Sequence, residues 1–138
     1  MPKLLQLRTV GACALVLCLA LLVTASASAT TATLRVVGKN NQVLTEGLVK
    51  SKNTSVKTDP KATCLGSGTG GSGKKVALRG DTALGLLADG ALTNKPLRPL
   101  SITDHYSFGL GVCGIGKSIG KPGGASWYLK VNHKGATK

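Results

Sequence analysis

The chain has 138 residues, with 18 lysines and arginines against 5 aspartates and glutamates, which gives a formal net charge of +13 at pH 7. The basic residues are scattered, with no block longer than Lys74-Lys75 and only four aromatic side chains to interleave. A sequence-reading nucleic-acid domain usually concentrates its charge and carries a known motif, so the composition excludes nucleic acid as the expected partner.

The first 29 residues have the layout of a secretory signal peptide. A basic stub with Lys3 and Arg8 precedes an uncharged apolar run over residues 10–23, which is shorter than the roughly 20 residues that cross a bilayer core. The small residues of "TASASA" follow and predict cleavage after Ala27 or Ala29. We therefore expect a secreted, extracellular domain over residues 30–138. The alternative, an uncleaved amphipathic anchor, is disfavoured because the run has no polar face.

Two of the four cysteines leave with the signal peptide, so that Cys64 and Cys113 remain. In an oxidising compartment they permit one connectivity, a Cys64–Cys113 disulfide. Closing a loop of about 50 residues stabilises the fold by roughly 4 kcal/mol when the effect is treated as chain entropy. The alternative is a zinc site that adds His105 and His133, but no two of these ligands have finger-like spacing. No metal is therefore expected.

The mature domain keeps most of the basic charge. Loss of Lys3 and Arg8 leaves 16 basic residues against all 5 acidic ones, a net charge of +11. Outside the cytoplasm, anionic wall polymers, glycans and lipid head groups are the expected counterparts of this charge. A surface whose charge only keeps the domain soluble is the other interpretation.

The mature chain begins with a predicted hairpin. Residues 31–37 alternate in hydropathy, "GKNN" (38–41) has turn chemistry, and residues 42–49 form a second strand. Residues 50–63 are polar and lysine-rich, which predicts a loop or a ragged edge strand.

A glycine-rich loop is predicted over residues 64–75. Within it, "GTGGSGKK" (68–75) matches the nucleotide-binding pattern G-x-x-x-x-G-K-[ST] except at Lys75. That site needs a strand before the loop and a helix after it, whose amino terminus faces the phosphate. Here a cysteine precedes the loop and a predicted strand around residues 76–78 follows it. We therefore predict a flexible loop that is fixed at one end by Cys64, and no phosphate site.

The segment "GDTALGLLADGALT" (80–93) predicts the main helix, with Asp81 or Thr82 as its cap. Residues at i, i+3, i+4, i+7 and i+8 form one apolar face: Leu84, Leu87, Ala88, Ala91 and Leu92. Gly85 and Gly90 weaken the helix by roughly 1 kcal/mol each relative to alanine, so it depends on packing against a sheet.

The last third of the chain is predicted to be extended. Residues 100–116 mix apolar side chains with glycines and predict a bent or bulged segment. The segment "SWYLKVNHK" (126–134) predicts a final strand in which Trp127, Leu129 and Val131 share one face. The four aromatic residues lie between Tyr106 and Tyr128, which indicates packing, a stacking surface or both; packing is the expectation for Trp127 and Phe108. Together these elements predict an α+β fold, with one main helix packed on a small mixed sheet and one disulfide.

Few residues could support catalysis. His105 is adjacent to Asp104, and neighbours on an extended segment face opposite sides, which disfavours a dyad. Ser72 lacks the second glycine of a G-x-S-x-G motif. We therefore expect a protein that is not an enzyme, with no resident cofactor.

Three segments resemble the transcobalamin-like C-terminal domain family: "GDTALGLLADGA", "FGLGVCGIG" and "SWYLKVNHK". The resemblance spans about Leu34 to His133 and implies an exported, β-grasp-like α+β domain, similar to the smaller domain of vitamin B12 carriers. In those carriers the domain covers one face of a corrinoid. The resemblance therefore implies a non-catalytic binding module whose ligand is a corrinoid or another small planar molecule. Trp127 and Tyr128 match the family's aromatic pair and are the candidate ligand-binding residues.

Overall fold

In a computed structural model of the chain, the structure describes residues 29–132 and 134–135. The predicted signal peptide therefore lies outside the described residues, apart from Ala29. The described part is an α+β fold with a single α-helix, small antiparallel sheets and one disulfide.

The strands are short and follow one another along the chain. They are β1 (Thr30–Val37), β2 (Val43–Ser51), β3 (Thr54–Lys57), β4 (Lys75–Leu78), β5 (Leu100–Thr103), β6 (Gly111–Ile115), β7 (Ser118–Ile119), β8 (Lys130–Val131) and β9 (Lys134–Gly135). Helix α1 spans Ala83–Thr93, and 3-10 turns span Lys39–Asn41 and Lys95–Leu97.

The strand pairing differs from the single mixed sheet expected. In the described range the strands form four small sheets, β1–β2, β3–β4, β5–β6–β7 and β8–β9, and every pair is antiparallel. Each pair joins strands that are consecutive in the chain. Such strands pair antiparallel without a crossover, whereas a parallel pair would need a long connection.

The predicted first hairpin is confirmed. Strands β1 and β2 pair from Thr30↔Ser51 to Val36↔Thr45, and a bulge follows Val36. In the turn, Asn40 and Asn41 have φ of 56° and 58°, the left-handed region that asparagine tolerates better than most residues.

Helix α1 begins close to the predicted start, and Thr82 is its cap, because the Thr82 side-chain oxygen accepts a hydrogen bond from the Gly85 amide at 3.0 Å. The predicted apolar face is only partly covered. Leu87 and Ala91 are buried, whereas Leu92 is 65% exposed. Gly90 permits the close approach of the helix to β1, since a Cβ there would lie 2.5 Å from Leu34 Cδ2.

The core lies between α1, the β1–β2 hairpin and the β5–β6 hairpin. Its buried residues are Val36, Leu87, Ala91, Leu97 and Ile115. At its edge, Asp89 is also buried: its Oδ2 accepts hydrogen bonds from the Ser51 hydroxyl at 3.0 Å and the Lys52 amide at 2.8 Å. The helix is thus tied to the end of β2 by a polar contact as well as by apolar packing.

The predicted disulfide is confirmed. Cys64 and Cys113 are bonded, with their Cα atoms 5.3 Å apart, and join the start of the glycine-rich loop to β6. Because both thiols are used in this bond, the alternative zinc site is wrong; its fourth ligand, His133, lies outside the described residues.

The prediction of one strand over residues 126–134 is wrong. Two strands of two residues each are found instead, Lys130–Val131 and Lys134–Gly135, and they pair with each other antiparallel. Asn132, directly after the first of these strands, has a φ of 49°, the left-handed conformation that tight hairpin turns use. Val131 is consequently exposed instead of sharing a buried face with Trp127 and Leu129.

Candidate functional site

A groove of about 560 Å³ opens on one side of the helix. Three segments form it: β3, one side of α1, and residues 98–100. The residues that line it are Thr54, Ser55, Val56, Lys57, Ala88, Ala91, Leu92, Arg98, Pro99 and Leu100.

The walls of the groove are mainly apolar because of how α1 is placed. Ala88, Ala91 and Leu92 are spaced i, i+3 and i+4, so they lie on one side of the helix. The side of the helix that contains Leu87 packs in the core, whereas the Leu92 side chain lines the groove. Pro99 also lines the groove, and the peptide bond between Arg98 and Pro99 is cis.

Two cations lie at the groove, Lys57 at the end of β3 and Arg98 before the proline. Both side chains are exposed, and no acidic residue of the described range lines the groove. The ion pairs of the described residues are Arg35–Glu46 and Arg79–Asp81, so neither groove cation takes part in one. The groove therefore combines an apolar surface with a positive potential.

The predicted ligand-binding residues lie elsewhere. Trp127 is half-buried, packs against the core and donates its indole N–H to the Ser118 carbonyl at 3.2 Å. It also lines a smaller depression of about 150 Å³ beside residues 37–39 and 118–120. Tyr128 is 81% exposed and lines neither cavity. The structure thus does not bring the two aromatic rings together at one site.

The glycine-rich loop is anchored along its length instead of only at Cys64. The Ser72 hydroxyl and amide each donate to the Asp104 carboxylate at 2.6 Å. The Gly71 amide donates to the Asp59 carbonyl at 2.8 Å, and the Gly73 amide donates to Thr58 Oγ1 at 3.0 Å. The loop amides therefore face acceptors of the protein itself.

The loop also packs closely on the segment that precedes it. A Cβ at Gly70 would lie 1.9 Å from the Pro60 carbonyl oxygen, so only glycine fits there. Lys75 begins β4, which confirms that a strand and not a helix follows the loop. The glycines here allow close packing, and the loop leads into a strand instead of the helix on which phosphate sites of this pattern depend.

The Asp104 carboxylate is committed to the loop. Hydrogen bonds from the Ser72 side chain, and then from the Ser72 amide, hold the pKa of Asp104 below its usual value. His105 is exposed; its amide donates to Thr103 Oγ1 at 3.1 Å, and its ring lies edge-on to Tyr106 at 4.9 Å. The Asp104 carboxylate thus accepts hydrogen bonds from Ser72 and does not form a dyad with His105.

The prediction that Phe108 packs in the interior is wrong. Phe108 is 62% exposed, and its ring stacks on Tyr106 with centroids 4.9 Å apart and planes 18° from parallel. A stacked aromatic pair contributes about 0.5–1.5 kcal/mol beyond the area that it buries.

Within residues 29–132 and 134–135, no group of three or more histidine, cysteine, aspartate or glutamate side chains could hold a metal ion. In the same part of the chain, no helix has both the length and the apolar character needed to span a membrane. Comparison with protein-family models, with curated proteins and with solved structures gives no match. The groove is therefore interpreted from its own geometry.

Proposed function

We propose that this chain is a secreted, non-catalytic binding module whose ligand site is the groove between α1, β3 and residues 98–100. The observation that carries the proposal is the groove itself. Its volume of about 560 Å³ falls in the range of roughly 300–1,000 Å³ that small-molecule sites occupy, and its mainly apolar lining with few polar groups is typical of them.

The resemblance to the transcobalamin-like C-terminal domain family adds the type of fold and the ligand to the proposal. The fold is β-grasp-like, and the ligand is a corrinoid or another small planar molecule. The contacts with this ligand are assigned to the groove rather than to Trp127 and Tyr128, because those two side chains do not line it. The Cys64–Cys113 disulfide is compatible with an extracellular location.

Leu92→Asp is expected to weaken the binding of a neutral apolar probe, N-phenyl-1-naphthylamine, by about tenfold, which corresponds to about 1.4 kcal/mol. Leu92 is 65% exposed on the apolar wall of the groove, and a carboxylate there would have to lose water when the probe binds. The dissociation constant is measured by fluorescence titration. Cobalamin is titrated in the same way through its absorbance.

The matched control is Leu48→Asp, since Leu48 is 77% exposed on β2 and does not line the groove. It should leave the probe's dissociation constant unchanged. Equal weakening by both substitutions, or no saturable binding to the wild-type chain, would contradict the groove as a ligand site. A saturable cobalamin shift that Leu92→Asp reduces would identify the corrinoid as the ligand.

A second candidate function is retention at the cell envelope by charge. All fourteen lysines and arginines from Arg35 to Lys130 are exposed. Among the described residues only Arg35 and Arg79 are in ion pairs. The remaining twelve are exposed and form no ion pair with a described residue, so they are available to anionic wall polymers or lipid head groups.

Retention on vesicles that contain phosphatidylglycerol is expected to fall steeply as the salt concentration rises above its physiological value. The Debye length is about 8 Å at physiological ionic strength and becomes shorter as salt is added, so exposed charges are screened more strongly. Co-sedimentation at increasing sodium chloride measures it, with pure phosphatidylcholine vesicles as the control. Retention that salt does not change, or equal retention on both vesicles, would rule out this candidate.

A further inference from the structure

We propose that the ligand of the groove is an anionic amphiphile with one apolar chain, which lies along α1 while its acidic head group binds Lys57 and Arg98. This inference rests on the part of the proposed function that makes the groove a ligand site, and it replaces the corrinoid or other small planar molecule with a single-chain acid.

The apolar half of the groove suits a chain. On the helix side, Ala88 and Ala91 are buried at the groove, while Leu92 lies beside them largely uncovered. Val56 on β3 and Pro99 continue the apolar surface on the other walls. A chain placed here would remove Leu92, Val56 and Pro99 from water, which is the general driving force for binding apolar groups.

The polar half suits an acid. Lys57 and Arg98 are contributed by different segments to the same groove. Arginine presents paired N–H donors that match a carboxylate or phosphate, and lysine adds a second positive charge. Thr54 and Ser55 supply hydroxyl groups on the same wall.

Among the described residues, no carboxylate lines the groove or forms an ion pair with Lys57 or Arg98. Of the described acidic residues, Asp89 is the one on α1, and it is buried against Ser51 and Lys52 instead of lining the groove. Arg35 and Arg79, not Arg98, are the arginines that form ion pairs in the described range. A neutral planar ligand would make no use of the two charges, and a polyanionic polymer would make no use of the apolar wall.

The test compares two ten-carbon compounds that differ in the head group. Decanoate is expected to displace N-phenyl-1-naphthylamine from the wild-type chain about tenfold more strongly than 1-decanol, because two exposed charge contacts together amount to about one factor of ten. In the variant Lys57→Gln/Arg98→Gln the ratio of the two dissociation constants should fall to about one. Decyl phosphate is the third arm and shows whether the acid is a carboxylate or a phosphate.

The control variant Lys117→Gln/Lys121→Gln also removes two positive charges, but from exposed positions outside the groove. It should keep the tenfold preference for decanoate over 1-decanol. Equal displacement by decanoate and decanol, or loss of the preference in the control variant, would overturn the inference and leave the proposed function standing. If the naphthylamine probe does not bind the wild-type chain at all, the proposed function fails as well.

Discussion

Replacing Cys64 and Cys113 together with alanine is expected to lower the free energy of unfolding by about 4 kcal/mol, the effect of opening a loop of this length in the unfolded chain. The two residues are separated by 49 positions, and the bond joins the glycine-rich loop to β6. Such a loss is a large fraction of the stability of a small domain. Urea unfolding followed by the fluorescence of the single tryptophan, Trp127, measures it.

Reducing agent provides the control for this experiment. It should destabilise the wild-type chain by a similar amount and have no effect on the Cys64→Ala/Cys113→Ala variant. A wild-type chain whose unfolding midpoint does not move under reduction would show that the disulfide contributes little.

Leu87→Ala is expected to cost about 3 kcal/mol of folding free energy, within the range for deleting a buried leucine side chain. Leu87 is 1% exposed and belongs to the cluster in which α1 packs on β1 and β6. The substitution leaves a cavity under the helix without introducing a poor helix former. Urea unfolding of the disulfide-bonded protein gives the difference.

The matched control, Leu92→Ala, makes the same chemical change on the same helix at a side chain that is 65% exposed. Its cost should stay below about 1 kcal/mol. Equal losses at the two positions would mean that the helix packs through a different face from the one described.

The local features of this chain could be predicted from its sequence. The disulfide followed from the number of cysteines and the expected compartment, and the helix followed from apolar spacing and the Thr82 cap. The first hairpin followed from alternation and the two asparagines of its turn. In each case the deciding signal lies within a few neighbouring residues, or in a count that leaves one answer.

The groove could not be predicted, because its walls come from three separate segments. The sequence placed Leu92 on the same apolar face as Leu87, but α1 turns only part of that face toward the core. Apolar spacing shows which side of a helix is apolar; it does not show how far a neighbouring sheet extends across that side. Lys57 and Arg98 are 41 positions apart, and no local pattern relates them.

The predictions for the glycine-rich loop and for the final strand were partly wrong. In both cases the deciding feature cannot be read from the neighbouring residues. The partner that holds Ser72 is Asp104, which lies 32 positions away, so the loop looked tethered only at Cys64. At residues 126–134 the alternation was correct for Trp127 and Tyr128. The reversal at Asn132, however, depends on a left-handed residue that alternation cannot reveal.

The anchoring of the glycine-rich loop also bears on how the chain reaches its native state. Contacts such as Ser72 with Asp104, and Asp59 with Ser101 at a separation of 42 positions, form only after long stretches of backbone have been brought together. Their closure entropy is lost before the contacts can stabilise anything. Because contacts between residues far apart in the chain outnumber local ones, the folding rate of this domain should resemble that of β-rich proteins more than that of helical bundles.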